Sequence, residues 1–150
     1  MIDGKEVERF ENIFPLIRRT VGWSADTFGK KIGVSRQTIN NLENKKYKLP
    51  KPTYVAMRYA LDEEMQNPEN ELDMLKVILD AFVDHPDNYS EAEKKTLYSK
   101  ADLLSHAIKP NNKVTNRAEI SNEWKAIVVA IGAITLSAIG AILIGSWKSK

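Results

Sequence analysis

The side chains best suited to chemistry in this chain are hydrogen-bonding groups rather than nucleophiles. Arg36, Gln37 and Asn41 stand close together in the stretch SRQTINNLENKKYK, and Lys45, Lys46 and Lys48 follow at once. On a helix, positions four apart share a face, so Gln37 and Asn41 point the same way with Arg36 beside them. Such a face matches the major groove of double-stranded DNA. An arginine offers a guanine two parallel donors, and a carboxamide pairs with an adenine through one donor and one acceptor. Thr38 and Asn40, on the edge of that face, suit phosphate, as do the ammonium groups of Lys45, Lys46 and Lys48. Ser24 stands where a helix opens, so free backbone N–H groups there suit a further phosphate.

Chemistry of other kinds finds little material. Cysteine is absent, which removes disulfides, thiolate metal sites and thiol nucleophiles. Histidine occurs twice, as His85 and His106, and neither has the company of a triad. His85 precedes a proline and reads as a turn residue. The carboxylates Glu69 and Asp73, and Glu91 and Glu93, read as solvated helix faces and N-terminal charges. No acid/base pair and no metal-ligand spacing stands out, so the expectation is a protein without catalysis, cofactor or metal.

The elements that must hold the polar face are short helices. Phe10, Ile13, Phe14 and Ile17 recur at helical spacing over 10–20. Ser24 is an N-cap for 25–32, Gly33 suits a left-handed turn, and Ser35 caps a further helix over 36–44 with Ile39 and Leu42 turned inward. Two short helices joined through a glycine turn form a helix-turn-helix pattern.

The stretch from Trp23 to Pro50, WSADTFGKKIGVSRQTINNLENKKYKLP, resembles the helix-turn-helix of the Xre/Cro-type phage-repressor family. Agreement rests on Phe28, Gly29, the Gly33-Val34-Ser35 turn, Ile39 and the Leu42-Glu43-Asn44 end of the recognition helix, and the likeness spans about residues 8–66. The resemblance implies that Arg36, Gln37 and Asn41 read bases and that the protein acts as a dimer. One position departs: Lys45 stands where the family usually has glycine. Glu43 is expected to face the fold and pair with Arg18 or Arg19.

Residues 52–66 open with a proline suited to the first helical turn, and Tyr54, Met57, Leu61 and Met65 form a core stripe. Residues 67–108 read as an acidic helical hairpin. Leu72, Leu75, Leu79 and Phe82 line its first helix; Leu97, Ala101, Leu104 and Ile108 line its second, which Ser90 and Glu93 open as a capping box. Such a hairpin must bury its apolar side against the head or against a second copy, and the second copy is favoured. Its acidic outer side is also a candidate contact for an unknown protein partner.

Residues 109–123 are polar and asparagine-rich and read as a linker, one that turns helical near Ala118 as it enters the membrane. Residues 124–147 read as one transmembrane helix, ahead of a short tail, 148–150. From Ala126 to Ser146 no charge occurs, and these 21 residues as a helix span about 32 Å, against roughly 30 Å of bilayer hydrocarbon. Trp124 and Trp147 bracket the span as interfacial indoles, with Lys125 and Lys148 beside them. Ala133, Ser137, Ala141 and Gly145 form a row of small residues on which two such helices could pack. Lys109, Lys113, Arg117 and Lys125 precede the span, which puts the N-terminal body in the cytoplasm at the inner or plasma membrane.

Charge divides the chain in the same way. Residues 1–61 carry 12 Lys/Arg against 6 Asp/Glu, and residues 62–123 carry 7 against 14. A basic head seeks a polyanion, and an acidic middle stays off it. The sequence thus reads as an all-α protein: a helix-turn-helix bundle at 1–66, a hairpin and a single membrane helix. Its function reads as a dimeric, membrane-anchored transcriptional regulator with DNA and the lipid bilayer as partners. The alternative is a membrane-tethered scaffold whose helix-turn-helix holds a protein partner, in a cytoskeletal or chromosome-anchoring role. LPKPTYVAMRYA is similar to the bacterial rod-shape proteins that work in this way.

Overall fold

A computed structural model describes residues 2–108 and 117–131, and all regular structure among them is helical. In chain order the helices are α1 (Gly4–Asn12), α2 (Phe14–Val21), α3 (Ala25–Ile32), α4 (Arg36–Glu43), α5 (Lys51–Gln66), α6 (Asp73–Leu79), α7 (Glu91–Ser105) and α8 (Arg117–Ile131). The apolar period over 10–20 is divided between α1 and α2, which part at Ile13. Pro15 lies in the first turn of α2, where its missing N–H costs nothing but where it cannot continue the helix before it.

Helices α1 to α5 surround an aromatic centre. Phe10 stacks on Phe14, Tyr54 meets Phe10 edge-on, and Phe28 lies edge-on to both Phe14 and Trp23. Burial of Tyr54, Met57, Leu61 and Met65 makes the expected stripe of α5 a core face. The Tyr54 hydroxyl donates to Glu6 and receives a bond from Arg58, which also grips Asp84 with both terminal nitrogens at 2.7 and 3.0 Å.

The hairpin corrects one expectation. Its apolar side is covered by the head of the same chain: α6 and α7 pack on α2, and the turn after α6 packs on α1. That turn, Asp80–Asp84, is a π-type winding, and Arg9 of α1 donates twice to the carbonyl of Val83 there, at 2.9 and 2.7 Å. One continuous core therefore runs from Val7 to Val128, and no second copy is needed to bury Leu75 or Leu79. The capping box of Ser90 and Glu93 forms as expected. His85 sits in the turn with its Nδ1 2.7 Å from Asp80.

The greater correction concerns residues 117–131. The helical turn expected near Ala118 at the end of the linker is present, but as the start of α8, which packs on α6 and α7. Trp124 is 1% exposed and Val128 is equally buried, so the indole expected at a membrane interface lies in the protein core. Lys125 donates to Asp73 at 3.0 Å, and Ser121 donates to the same carboxylate. Arg117 donates to the carbonyls of Thr20 and Val21 at 3.0 and 2.8 Å, which satisfies the C-terminal end of α2. Gly22, at φ 79°, leaves the room for this, since a Cβ there would meet the Arg117 guanidinium. Because α8 closes over it, α6 is buried nearly all round instead of on one face. Among the described residues no helix is long and apolar enough to cross a membrane. Most of the expected span, with Ala133, Ser137, Ala141 and Gly145, lies outside the described residues.

Burial of α6 encloses Lys76, whose side chain is 7% exposed. Loss of solvent pulls its ammonium down to about 8, against an attraction to Asp73 and with a further push from Lys125. The unfolded chain then binds more protons than the folded one between about 8 and the ordinary lysine value, so stability should rise with pH across that interval. Lys76→Met should raise stability at pH 7 by about 1–3 kcal/mol and abolish the rise, as read by urea unfolding at several pH values.

Candidate nucleic-acid interface

Helices α3 and α4 pack closely on each other, and their geometry follows from four local signals. Ser24 accepts from the N–H of Thr27, and Ser35 accepts from the N–H of Thr38, so both helices open on a serine cap. Gly33 ends α3 at φ 81°, the left-handed conformation that glycine adopts at no steric cost. Gly29 faces the turn so closely that a Cβ would lie 2.5 Å from the carbonyl oxygen of Val34. A hydrogen-only side chain at Gly29 is what lets α3 meet the start of α4.

Phe28, Ile39 and Leu42 pin the unit to the core, each at most 1% exposed. Arg18 forms an ion pair with Glu43 and donates to the carbonyl of Trp23 at 3.1 Å. The end of α4 and the entry to α3 are thereby both fastened to α2. Of the two expected partners of Glu43, Arg18 is the one used. Arg19 turns to Asp102 of α7.

With its inner side so fixed, α4 presents Arg36 and Gln37 to solvent, with Thr38, Asn40 and Asn41 half-buried along it. The Gln37 carboxamide donates to Asn41 Oδ1 at 2.9 Å, so two of the expected base readers are already oriented by one another. Ser24, half-buried, is engaged in its cap and with the Thr27 hydroxyl. Lys45, Lys46 and Lys48 are exposed, as are Tyr47 and, beyond them, Lys51. Lys51 prolongs the basic row; the sequence carries it openly in LPKP, but inside a helix start it reads as structural. Among the described residues no group of acidic or histidine side chains converges as a metal site.

The end of α4 gives the departure at Lys45 a physical meaning. Lys45 N–H bonds to Leu42 and Lys46 N–H to Asn41, the paired closure that places the residue after the cap in the left-handed region. Lys45 holds φ 57° there. A non-glycine residue carries a cost of roughly 1–2 kcal/mol in that conformation, partly offset by its smaller loss of backbone freedom. Lys45→Gly should therefore stabilise the protein by about 0.5–1 kcal/mol in urea unfolding. If Lys45 holds a phosphate, the same change should flatten the salt dependence of DNA binding by about one counterion.

No curated protein and no solved structure matches the chain. Residues 16–57, from the body of α2 to the middle of α5, match the family model described as Helix-turn-helix.

Proposed function

We propose that this chain is a sequence-specific DNA-binding regulator of repressor type that works as a dimer and performs no catalysis. The observation that carries the reading is the outward face of α4. Arg36 and Gln37 are exposed on a capped helix, Asn41 orients Gln37, and Arg36 and the lysines after it stay outside the core, with Lys45 donating to Asn12 Oδ1 at 3.2 Å on the surface. The helix-turn-helix match over the same residues supports it. In this reading Arg36, Gln37 and Asn41 meet base edges, while Ser24, Thr38, Asn40, Lys45, Lys46 and Lys48 meet the backbone.

The membrane anchor belongs to the same proposal with a shifted start. Val128 is committed to the protein core, so the stretch available to lipid begins at Val129 and runs uncharged to Ser146. Those 18 residues as a helix span about 27 Å, near the thickness of bilayer hydrocarbon. The body then lies on the cytoplasmic side of the inner or plasma membrane.

Selection of bound sequences from a random DNA pool, followed by titration at several salt concentrations, tests the first part. A site preference with a steep salt slope is expected, and absence of binding at low salt overturns it in favour of the protein-binding scaffold. Flotation of the full chain with liposomes tests the second, and a chain left wholly at the bottom of the gradient overturns it.

A further inference from the structure

Helix α5 buries one side and leaves the other without a partner. Opposite Met57, Val55 is 45% exposed and Tyr59 is 67% exposed, four residues and one helical turn apart. Lys51 precedes this apolar pair and Glu63 follows it; both are exposed, and neither has an ion-pair partner among the described residues.

The order of these residues is self-complementary about Met57. Lys51 stands as far before Met57 as Glu63 stands after it, and Val55 as far before as Tyr59 after. A two-fold axis crossing α5 opposite Met57 lays the helix antiparallel on its own copy, as an isologous interface requires. Val55 then meets Tyr59 of the partner subunit, and Lys51 meets Glu63 of the partner subunit, twice over by symmetry. A parallel pairing would set lysine against lysine and glutamate against glutamate.

We infer that the exposed face of α5 is the docking surface for a second copy of this chain. The assignment rests on the dimer included in the reading above but needs no DNA. A contact built around one 16-residue helix lies at the small end of specific interfaces, with a dissociation constant on the order of 10–100 μM. Two copies held close, on neighbouring half-sites or on one membrane, would be paired largely through raised effective concentration.

The absence of cysteine makes the test direct. Val55→Cys and Tyr59→Cys are made separately in the full chain and oxidised alone and as an equal mixture. The mixture should form the 55–59 disulfide about tenfold faster than either variant crosslinks with itself, because only the mixed pair meets at bonding distance. Adding Glu63→Lys to both should slow the mixed reaction about tenfold, and adding Lys51→Glu as well should restore it. Equal rates in all three reactions, or indifference to the charge reversal, overturn the assignment. Binding to DNA carrying a single half-site is measured in parallel, so loss of the DNA reading would show there while the crosslink remained.

Discussion

Trp124→Ala is expected to lower the unfolding free energy of the helical body by about 3–5 kcal/mol, the usual cost of removing a large aromatic ring from a packed core. The ring is 1% exposed between α8 and the helices beneath it, so its removal leaves a cavity that the neighbouring helices cannot fill without losing their own contacts. Its Nε1 is buried with no hydrogen-bond partner among the described residues, which is itself a cost in the native protein. Trp124→Phe removes that unpaired donor together with part of the ring and should stay within about 1.5 kcal/mol of the parent. Urea unfolding of the full chain, followed by far-ultraviolet circular dichroism, measures both. An unchanged midpoint for Trp124→Ala would return the indole to a membrane interface.

The second large effect is expected at α4. Arg36→Ala and Gln37→Ala should each weaken binding to the preferred DNA site by about 1–3 kcal/mol and relax its sequence preference, with little change in protein stability, since both side chains are exposed. Asn41→Ala should cost its own contact and part of that of Gln37, because the bond between the two carboxamides is lost. The double variant Gln37→Ala/Asn41→Ala should therefore lose less than the sum of the single ones. Lys46→Ala should weaken all sequences alike and reduce the salt slope by about one. Fluorescence anisotropy with selected and scrambled duplexes separates these cases. Full binding by Arg36→Ala with unaltered preference would remove α4 from the groove.

The helix-turn-helix was legible because its determinants are local. Two serine caps, Gly33 in the turn and the inward spacing of Phe28, Ile39 and Leu42 all lie within twenty residues of one another. The inward direction of Glu43 even narrowed its partner to two arginines, and Arg18 is the one that meets it. What escaped was non-local. The placement of the hairpin depends on Arg9 reaching the Val83 carbonyl, 74 residues away, and on a π-type turn that no apolar period announces.

Residues 117–131 misled for a different reason. An uncharged run is as much at home in a protein core as in lipid, and hydropathy cannot tell the two apart. The features that dock α8 are Arg117, Ser121 and Lys125, which in sequence look like the polar flank of a membrane helix. Placed in the fold, each has a specific acceptor on α2 or α6.

The docking of α8 also sets how force would travel through this molecule. About 70 residues of chain separate Glu43 at the end of α4 from Arg117, yet mechanically the two are joined across a single helix. Arg117 holds the last carbonyls of α2, and Arg18, about one turn back on α2, holds Glu43. A pull on the chain beyond Ile131 enters at α8 and passes to α2 through Arg117, and from α2 to α4 through Arg18. The hairpin shares that load, since α8 also packs on α6 and α7 and holds Asp73 through Ser121 and Lys125. The far end of α8 and helix α4 are thus coupled like two levers on one axle, with two arginine side chains as the polar links between them.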